Sequence, residues 1–334
     1  MINTDVFVIG AGLSGLTLAN TLAQAGVDVC VAEKARGSGG RLSSKRIQFD
    51  DQTIGFDLGA SAITAKTDAF KQMVAMWQQQ GVIDHWLSID ETPYYVGTPR
   101  SSSVTRHLAN QVDVHFSAKV QSVIPAGDQW QIMLETNQGP VLFAQANHVV
   151  YASPAEQTFN LLPTNHELKK VIEPAHINSQ WAMMVALPEA LDINDLVLNA
   201  TDKIQSISYE NSKPKRTNEL GLHVYCVQAS TEFSKGCINE QPESVKGDLL
   251  NDLAAYLGIS LTPVTNYIHR WLYSHGSENG HVDAGYLTAD DGISICGDYL
   301  LGDMSIKGAE AAALSGLALG DYLVKCSSIL SEVG

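Results

Sequence analysis

The chain has 334 residues, 45% of them hydrophobic and 17% charged, with 36 acidic against 21 basic side chains and a formal net charge of −15. That composition describes one large or two interleaved globular domains and excludes a mainly disordered chain. The acidic balance disfavours nucleic acid and anionic membrane as partners, since both are held by cationic surface. Five cysteines (Cys30, Cys226, Cys237, Cys296, Cys326) are scattered, odd in number and without C-x-x-C spacing. This points away from a disulfide framework or metal site and fits a reducing cytoplasm. Residues 6–27 carry no charge, but Asn20, Gln24 and a glycine turn interrupt them and no basic segment precedes them. Neither a signal peptide nor a membrane span is expected, and the protein reads as soluble.

In chain order, residues 6–9 are β-branched or aromatic, as a buried parallel strand requires, and Gly10, Gly12 and Gly15 follow as G-x-G-x-x-G. The first glycine permits a tight turn, the second lets a pyrophosphate approach the backbone, and the third lets helix and strand pack closely. The helix beyond carries Leu13, Leu16, Ala19 and Ala23 at helical spacing and ends at Gly26. Its N-terminus, at Leu13 and Ser14, offers free amides and a positive dipole end to phosphate. Glu33 closes the second strand. A carboxylate there accepts both ribose hydroxyls and repels a 2′-phosphate, so the ligand is NAD or FAD rather than NADP.

Residues 33–41 read E-K-A-R-G-S-G-G-R, and residues 55–60 read G-F-D-L-G-A. E-K-x-R-G-x-G-G-R followed by F-D-x-G-A resembles the flavin-containing amine oxidase superfamily, most closely its renalase-like branch. The resemblance implies non-covalent FAD, with Gly39, Gly40 and Arg41 against the pyrophosphate and ribityl chain. It implies further contacts at Lys34, Leu58, Gly59 and Ala60. The physics is sensible, because paired glycines let amides close on phosphates and a guanidinium is a planar double donor.

Next, Ser61-Ala-Ile-Thr64 stands where renalase-like proteins carry an aromatic-rich A-Q-Y-F-T, beside the reactive face of the flavin. Thr64 is therefore a candidate pocket residue. A helix is predicted over 68–80, with Phe70, Met73, Val74 and Trp77 on its packed face. Residues 94–104 read as a loop, and the methionine of the family's G-x-x-x-M turn is absent from it. Arg100 and Arg106 there either meet an anionic ligand or stand as solvated charges, the more ordinary arrangement. Residues 112–124, 129–134, 141–143 and 148–154 read as strands of a β-meander. By the resemblance, this meander returns the chain to the FAD domain and the Val120 backbone pairs with the adenine.

From 155 to about 275 the pattern changes to short helices (155–162, 166–172), strands (181–187, 205–209, 223–228) and a helix over 242–257 ended by Gly258. A basic loop, 211–218, joins two of the strands. Trp181, Met183 and Met184 either line a cavity or fill the core, and core packing is the ordinary role. Residues 267–273 resemble the H-R-W-R-Y element of bacterial renalase-like proteins, with Leu272 in place of the second arginine. His269 and Arg270 are candidates to serve a substrate, but alternation is expected to point them and Trp271 to opposite faces, so not all can line the pocket; Trp271 and Tyr273 are placed on the flavin side.

A final strand delivers Gly297-Asp298, and a helix begins near Lys307, Gly308 and Ala309. In the superfamily this acid accepts a ribityl hydroxyl and the helix N-terminus faces the pyrimidine edge of the flavin. A helix N-terminus stabilises negative charge arriving there on reduction. Cys296, beside Gly297, reads as an inert core thiol.

The expected fold is a two-dinucleotide-binding-type α/β flavoprotein, Rossmann-like, with an inserted mixed α+β substrate domain. The FAD domain would take residues 1–90, 110–155 and 280–334, and the substrate domain 91–109 and 156–279. By the resemblance, the expected activity is oxidation of 2- and 6-dihydro isomers of NAD(P)H, with electrons passed to dioxygen to give hydrogen peroxide. No acid or base is assigned, since the donor is already an activated hydride. The alternatives are a flavin amine oxidase, a C–C desaturase or porphyrinogen-type oxidase, and a non-catalytic FAD-binding protein.

Overall fold

The computed structural model describes residues 1–216, 220–276, 282–301 and 305–332. Strand β1 (Ile2–Ile9) passes through the glycine turn into helix α1 (Leu13–Gln24) and strand β2 (Val29–Glu33). Strands β3 (Ser44–Phe49) and β4 (Gln52–Asp57) form a hairpin, and helix α2 (Asp68–Gln79) follows. A second hairpin, β5 (Ile83–Ile89) and β6 (Thr92–Gly97), leads to helix α3 (Ser103–Ala109). Then come β7 (Asp113–Phe116), β8 (Val120–Ala126), β9 (Gln129–Leu134), β10 (Val141–Tyr151), α4 (Ala155–Leu161) and α5 (Leu168–Ile172). The middle of the chain supplies β11 (Ile177–Leu187), β12 (Leu196–Leu198), β13 (Ile204–Tyr209), β14 (His223–Ala229), α6 (Thr231–Gly236), α7 (Pro242–Leu257) and β15 (Thr265–Gly276). The last elements are β16 (Tyr286–Thr288), β17 (Ile293–Cys296) and α8 (Gly308–Glu332).

Two sheets carry the architecture. The first has the order β16-β17-β10-β1-β2-β7, with β9 pairing β10 and β8 pairing β9. Strands β17, β10, β1, β2 and β7 run parallel, the signature of crossover helices on the sheet faces. Alternation along β1 sends Val6 and Val8 to the face covered by α1, α2 and α3, and Phe7 and Ile9 to the face packed against the meander, α4 and α5. The second sheet, order β12-β13-β14-β11-β15, is antiparallel throughout. Its outer face packs on α7 through Trp181, Met183 and Val185, and its inner face meets the β3–β4 hairpin through Met184, Ala186 and Cys226. Among the described residues, no helix is long and apolar enough to cross a membrane.

Three readings are corrected. The strands predicted at 141–143 and 148–154 are one strand, β10, continuous across an irregularity between Leu142 and Ala144. Residues 113–116 are not meander but the parallel edge strand β7 beside β2. Of the predicted loop over 94–104, residues 94–97 belong to strand β6, residues 98–102 do form a turn, and residues 103–104 begin α3. The expected boundary at 90/91 falls between the two strands of the β5–β6 hairpin, and α3 packs on α1, where Leu108 accepts a bond from Asn20. Pro93 and Pro99 suggested a loop, but Pro93 lies in an edge pair, where a missing N–H is tolerated. The other boundary, at 279/280, and the end of the basic loop at 217–218 lie outside the described residues.

Candidate active site

The two sheets enclose a cleft of about 1200 Å³, above the 300–1000 Å³ usual for a single small ligand. Its floor is the C-terminal edge of the parallel sheet, the customary ligand position in such folds. Gly10 is held at φ 115°, and a Cβ on Gly15 would lie 2.2 Å from the Gly10 oxygen. Strand and helix meet there with no room for any other residue. Gly12 caps α1 with no side-chain hydrogen bond and no acid in the first turn, so the amides of Leu13 and Ser14 on the cleft wall stay available to an anion. Gly39 and Gly40, both at positive φ, bring a second turn against Gly12: a Cβ on Gly40 would sit 3.5 Å from Gly12 Cα.

Glu33 is already oriented. One oxygen accepts from the Ala11 amide at 2.9 Å and the other from the Ala35 amide at 2.8 Å. Arg41 makes a bidentate pair with Asp298, at 2.7 and 2.6 Å, and donates to the Ser274 carbonyl of β15. Burial opposes the Arg41 charge, but the Asp298 carboxylate outweighs it and holds the guanidinium above its ordinary value. Gly59 packs so tightly that a Cβ would lie 1.9 Å from the Arg41 carbonyl oxygen.

The roof is the inner face of the antiparallel sheet. Trp271 donates to the Leu58 carbonyl and Gln228 to the Gly59 carbonyl, so β15 and β14 clamp the segment after β4. Gln228 also accepts from Ser206, while Gln180 accepts from Ser274 and donates to the Ala229 carbonyl. Burial and then Lys45 push His269 down, and burial and then Arg41 push His275 down, so both imidazoles face the cleft neutral near pH 7.

Behind this wall, a buried ionic cluster joins the layers. Asp57 meets Lys213 and Arg216, Lys213 meets Glu210, and the Asp57 amide donates to Glu210. Burial alone would raise the Asp57 carboxyl, but Lys213 and Arg216 outweigh it and hold Asp57 below the usual carboxylate range.

Of the residues singled out in the sequence, Gly10, Gly12, Leu13, Ser14, Glu33, Lys34, Gly39, Gly40, Arg41, Gly59, Ala60, Val120, Trp271, Tyr273, Gly297, Asp298, Gly308 and Ala309 line the cleft. Four do not. Gly15 lies behind the glycine turn, and the Leu58 side chain is buried against the roof sheet. Thr64 is carried away because Ile63 forms a β-bridge with Tyr95, and Lys307 is exposed. Arg41 and Asp298 face each other rather than standing alone. Trp181, Met183 and Met184 are core. His269 and Arg270, named as substrate candidates, both line the cleft. Gln180, Gln205, Ser206, Gln228 and His275 were not singled out. Their signal was a polar residue at an inward register position of an otherwise apolar strand, as Gln228 is in His223–Ala229. Away from the cleft, Cys30, Asp113 and His115 bring ligand-type atoms within 4.8 Å of one another, but burial and then Asp113 push the Cys30 thiol up to about 12.

A family model described as an NAD(P)-binding Rossmann-like domain matches residues 8–79. Lysine-specific histone demethylase 1 homolog 3 of Oryza sativa subsp. indica is 32% identical over 115 residues, 34% of this chain and 14% of that protein. The 4,4′-diapolycopene oxygenase of a Methylomonas species is 41% identical over 96 residues, 27% of this chain and 18% of that protein. The matched stretch therefore spans less than a fifth of either relative. Whole-chain likeness appears among solved structures. Putrescine oxidase bound to putrescine superposes with a TM-score of 0.71 at 13% identity, covering 97% of this chain and 99% of that one. Cyclohexylamine oxidase from Brevibacterium oxydans IH-35A gives 0.70 at 12% identity, covering 97% and 99%. The fold is that of the FAD-dependent amine oxidases: a Rossmann-like layer roofed by a second, antiparallel sheet.

Proposed function

We propose that the cleft holds FAD without covalent attachment and that the protein is an FAD-dependent oxidoreductase. It would take a hydride from a small reduced donor and pass the electrons to dioxygen, and the donors are the renalase-type 2- and 6-dihydro isomers of NAD(P)H. The residues fit the cofactor: an uncapped α1 N-terminus and two facing glycine turns for a pyrophosphate, and Glu33 for a ribose. FAD supplies a two-electron acceptor that dioxygen re-oxidises with release of hydrogen peroxide. The chain supplies position and field. The Arg41–Asp298 pair ties two floor segments together and Arg41 reaches the roof at the Ser274 carbonyl, while α8 points its N-terminal residues Gly308 and Ala309 into the cleft, where negative charge is stabilised.

The observation that supports the donor is a roof that, among the described residues, brings no carboxylate to the cleft; its cation there, Arg270, donates to the Ile238 carbonyl. Gln180, Gln205, Ser206 and Gln228 offer amides and a hydroxyl, Trp271 and Tyr273 offer ring faces, and both histidines are held neutral. Among the described residues, the only carboxylates lining the cleft are Glu33, Glu135 and Asp298, none of them on the roof. A donor that is already an activated hydride needs no base, whereas a diamine would need a carboxylate partner. A neutral monoamine is the second reading, favoured by the shared fold of cyclohexylamine oxidase.

The test is anaerobic stopped-flow reduction of the yellow protein by 2- and 6-dihydroNAD(P), with NADH and an amine panel alongside. Bleaching by the dihydro isomers alone, with peroxide on readmitting air, is the expected result. Bleaching by an amine alone would transfer the protein to the second reading. A colourless chain that takes up no FAD would overturn both.

A further inference from the structure

Four of the chain's seven arginines, Arg46, Arg100, Arg106 and Arg216, gather outside the cleft on the face of the β3–β4 hairpin turned away from the roof. Strand alternation puts Ser44 and Arg46 on that face of β3 and Gly55 and Asp57 on that face of β4, with Arg46 the register partner of Gly55. Because Gly55 carries no side chain, Arg100 Nε and Arg46 Cγ come to 3.8 and 3.9 Å from the position its Cβ would take. The two arginines therefore flank the same glycine floor. Arg216 enters from the other side, donating to the Gly97 carbonyl at 3.0 Å and to Asp57. Its side chain is only 8% exposed, yet its Nε has no hydrogen-bond partner. Beside it lies a hollow of about 10 Å³, room for one water, lined by Gly55, Glu210, Asn211 and Arg216.

Among the described residues, the charge here is unbalanced: the acids of this cluster, Asp57 and Glu210, are already taken by Lys213 and Arg216. Among the described residues, Arg46, Arg100 and Arg106 form no ion pair and no side-chain hydrogen bond. Burial and then the charges of Arg46, Arg106 and Arg216 push Arg100 below its ordinary value, so the guanidiniums repel one another. This occurs in a chain with 36 acidic side chains, where Lys71, Lys119, Lys215 and Lys246 all stand beside a carboxylate. Each guanidinium is a planar double donor suited to an oxyanion.

We propose that Arg46, Arg100 and Arg216 form a second site, over Gly55, for a small phosphate-type dianion, with Arg106 on its rim. The buried Nε of Arg216 would reach the anion through the single water that the hollow admits, and Arg46 and Arg100 close over the anion from the solvent side. Free phosphate and a phosphomonoester present the same chemistry to these groups.

The test is calorimetric titration of the full chain, saturated with FAD, with inorganic phosphate and separately with glycerol 3-phosphate, at an ionic strength fixed by chloride. The expected result is one saturable site per chain, weakened at least tenfold in both Arg46→Gln and Arg100→Gln, with the flavin spectrum and the melting temperature in chloride unchanged. Tighter binding of glycerol 3-phosphate would assign a phosphorylated metabolite, and tighter binding of phosphate the free ion. No saturable uptake by the native chain, or uptake equal in both variants, would overturn the site.

Discussion

The two sheets that face the cleft hold a ligand by different means. The parallel sheet offers main chain: the glycine turns at Gly10–Gly12 and Gly39–Gly40, the open end of α1, and a carboxylate, Glu33, that is itself fixed by two amides. The antiparallel sheet offers side chains: Gln180, Gln228 and Trp271, each spaced by strand alternation and tied to a neighbour. A main-chain site is specified by where side chains must be absent, and it tolerates little change. A side-chain site is specified one residue at a time, so it is where donor choice can vary on a constant floor.

The largest break expected in that contrast is Gly59→Ala. The added carbon would lie 1.9 Å from a backbone oxygen, with no flexible side chain to give way. A destabilisation above ~4 kcal/mol and purification without yellow colour are expected, read by flavin content and urea unfolding. Native flavin content would show that the segment after β4 can move. Next is the cluster between the layers. Lys213→Met strands Asp57 and Glu210 without their shared cation in a fully buried position, which costs ~3–5 kcal/mol. A loss under ~1 kcal/mol in urea would mean that Arg216 alone suffices to hold the layers together.

A third effect belongs to the parallel sheet alone. Burial pushes His148, hydrogen-bonded to Ser294, down to about 4. An unfolded histidine titrates near ~6.5, so as pH falls the unfolded chain takes the proton first. Stability from this group is complete above pH ~6.5 and declines by ~3 kcal/mol as pH approaches ~4. His148→Gln should flatten unfolding midpoints across that window, and an unchanged slope would rule the group out. The smallest effect tests the roof. Trp271→Phe keeps a ring but loses the bond to Leu58, a change of ~1 kcal/mol. Donor KM is expected to rise roughly fivefold with FAD affinity unchanged, and a loss of FAD affinity instead would put Trp271 in the floor's service.

These contrasts also explain what could be read without coordinates. The floor was legible because glycine spacing and a strand-terminal acid are local in sequence, and the cleft residues from Gly10 to Glu33 follow from them, while Lys34 and Gly39 to Arg41 followed from the family resemblance. Helix α7 was legible from Pro242 to its left-handed cap at Gly258, since both ends are marked by residue type. The roof was not. Gln180, Ser206 and Gln228 lie on three strands whose pairing joins distant segments, and nothing local marks a glutamine as inward-facing until the register is known. Arg41 and Asp298 were each recognisable, but their pairing spans 257 positions. The hairpin partner β6 was hidden by Pro93, whose local preference gave way to pairing with β5, and by Pro99 just beyond its end.

The state of the thiols bears on how such a protein would age. If peroxide forms in the cleft, it is released one residue from Cys296. Burial pushes that thiol up to about 12 and pushes Cys226 well above its ordinary value. Peroxide attacks thiolates, and these sulfurs stay protonated throughout the physiological range. Four of the five cysteines are buried, with Cys326 alone partly exposed on α8. The fold thus shelters four of its five thiols from the oxidant it would generate, and wear should begin at Cys326, toward the other end of the helix whose first residues line the cleft.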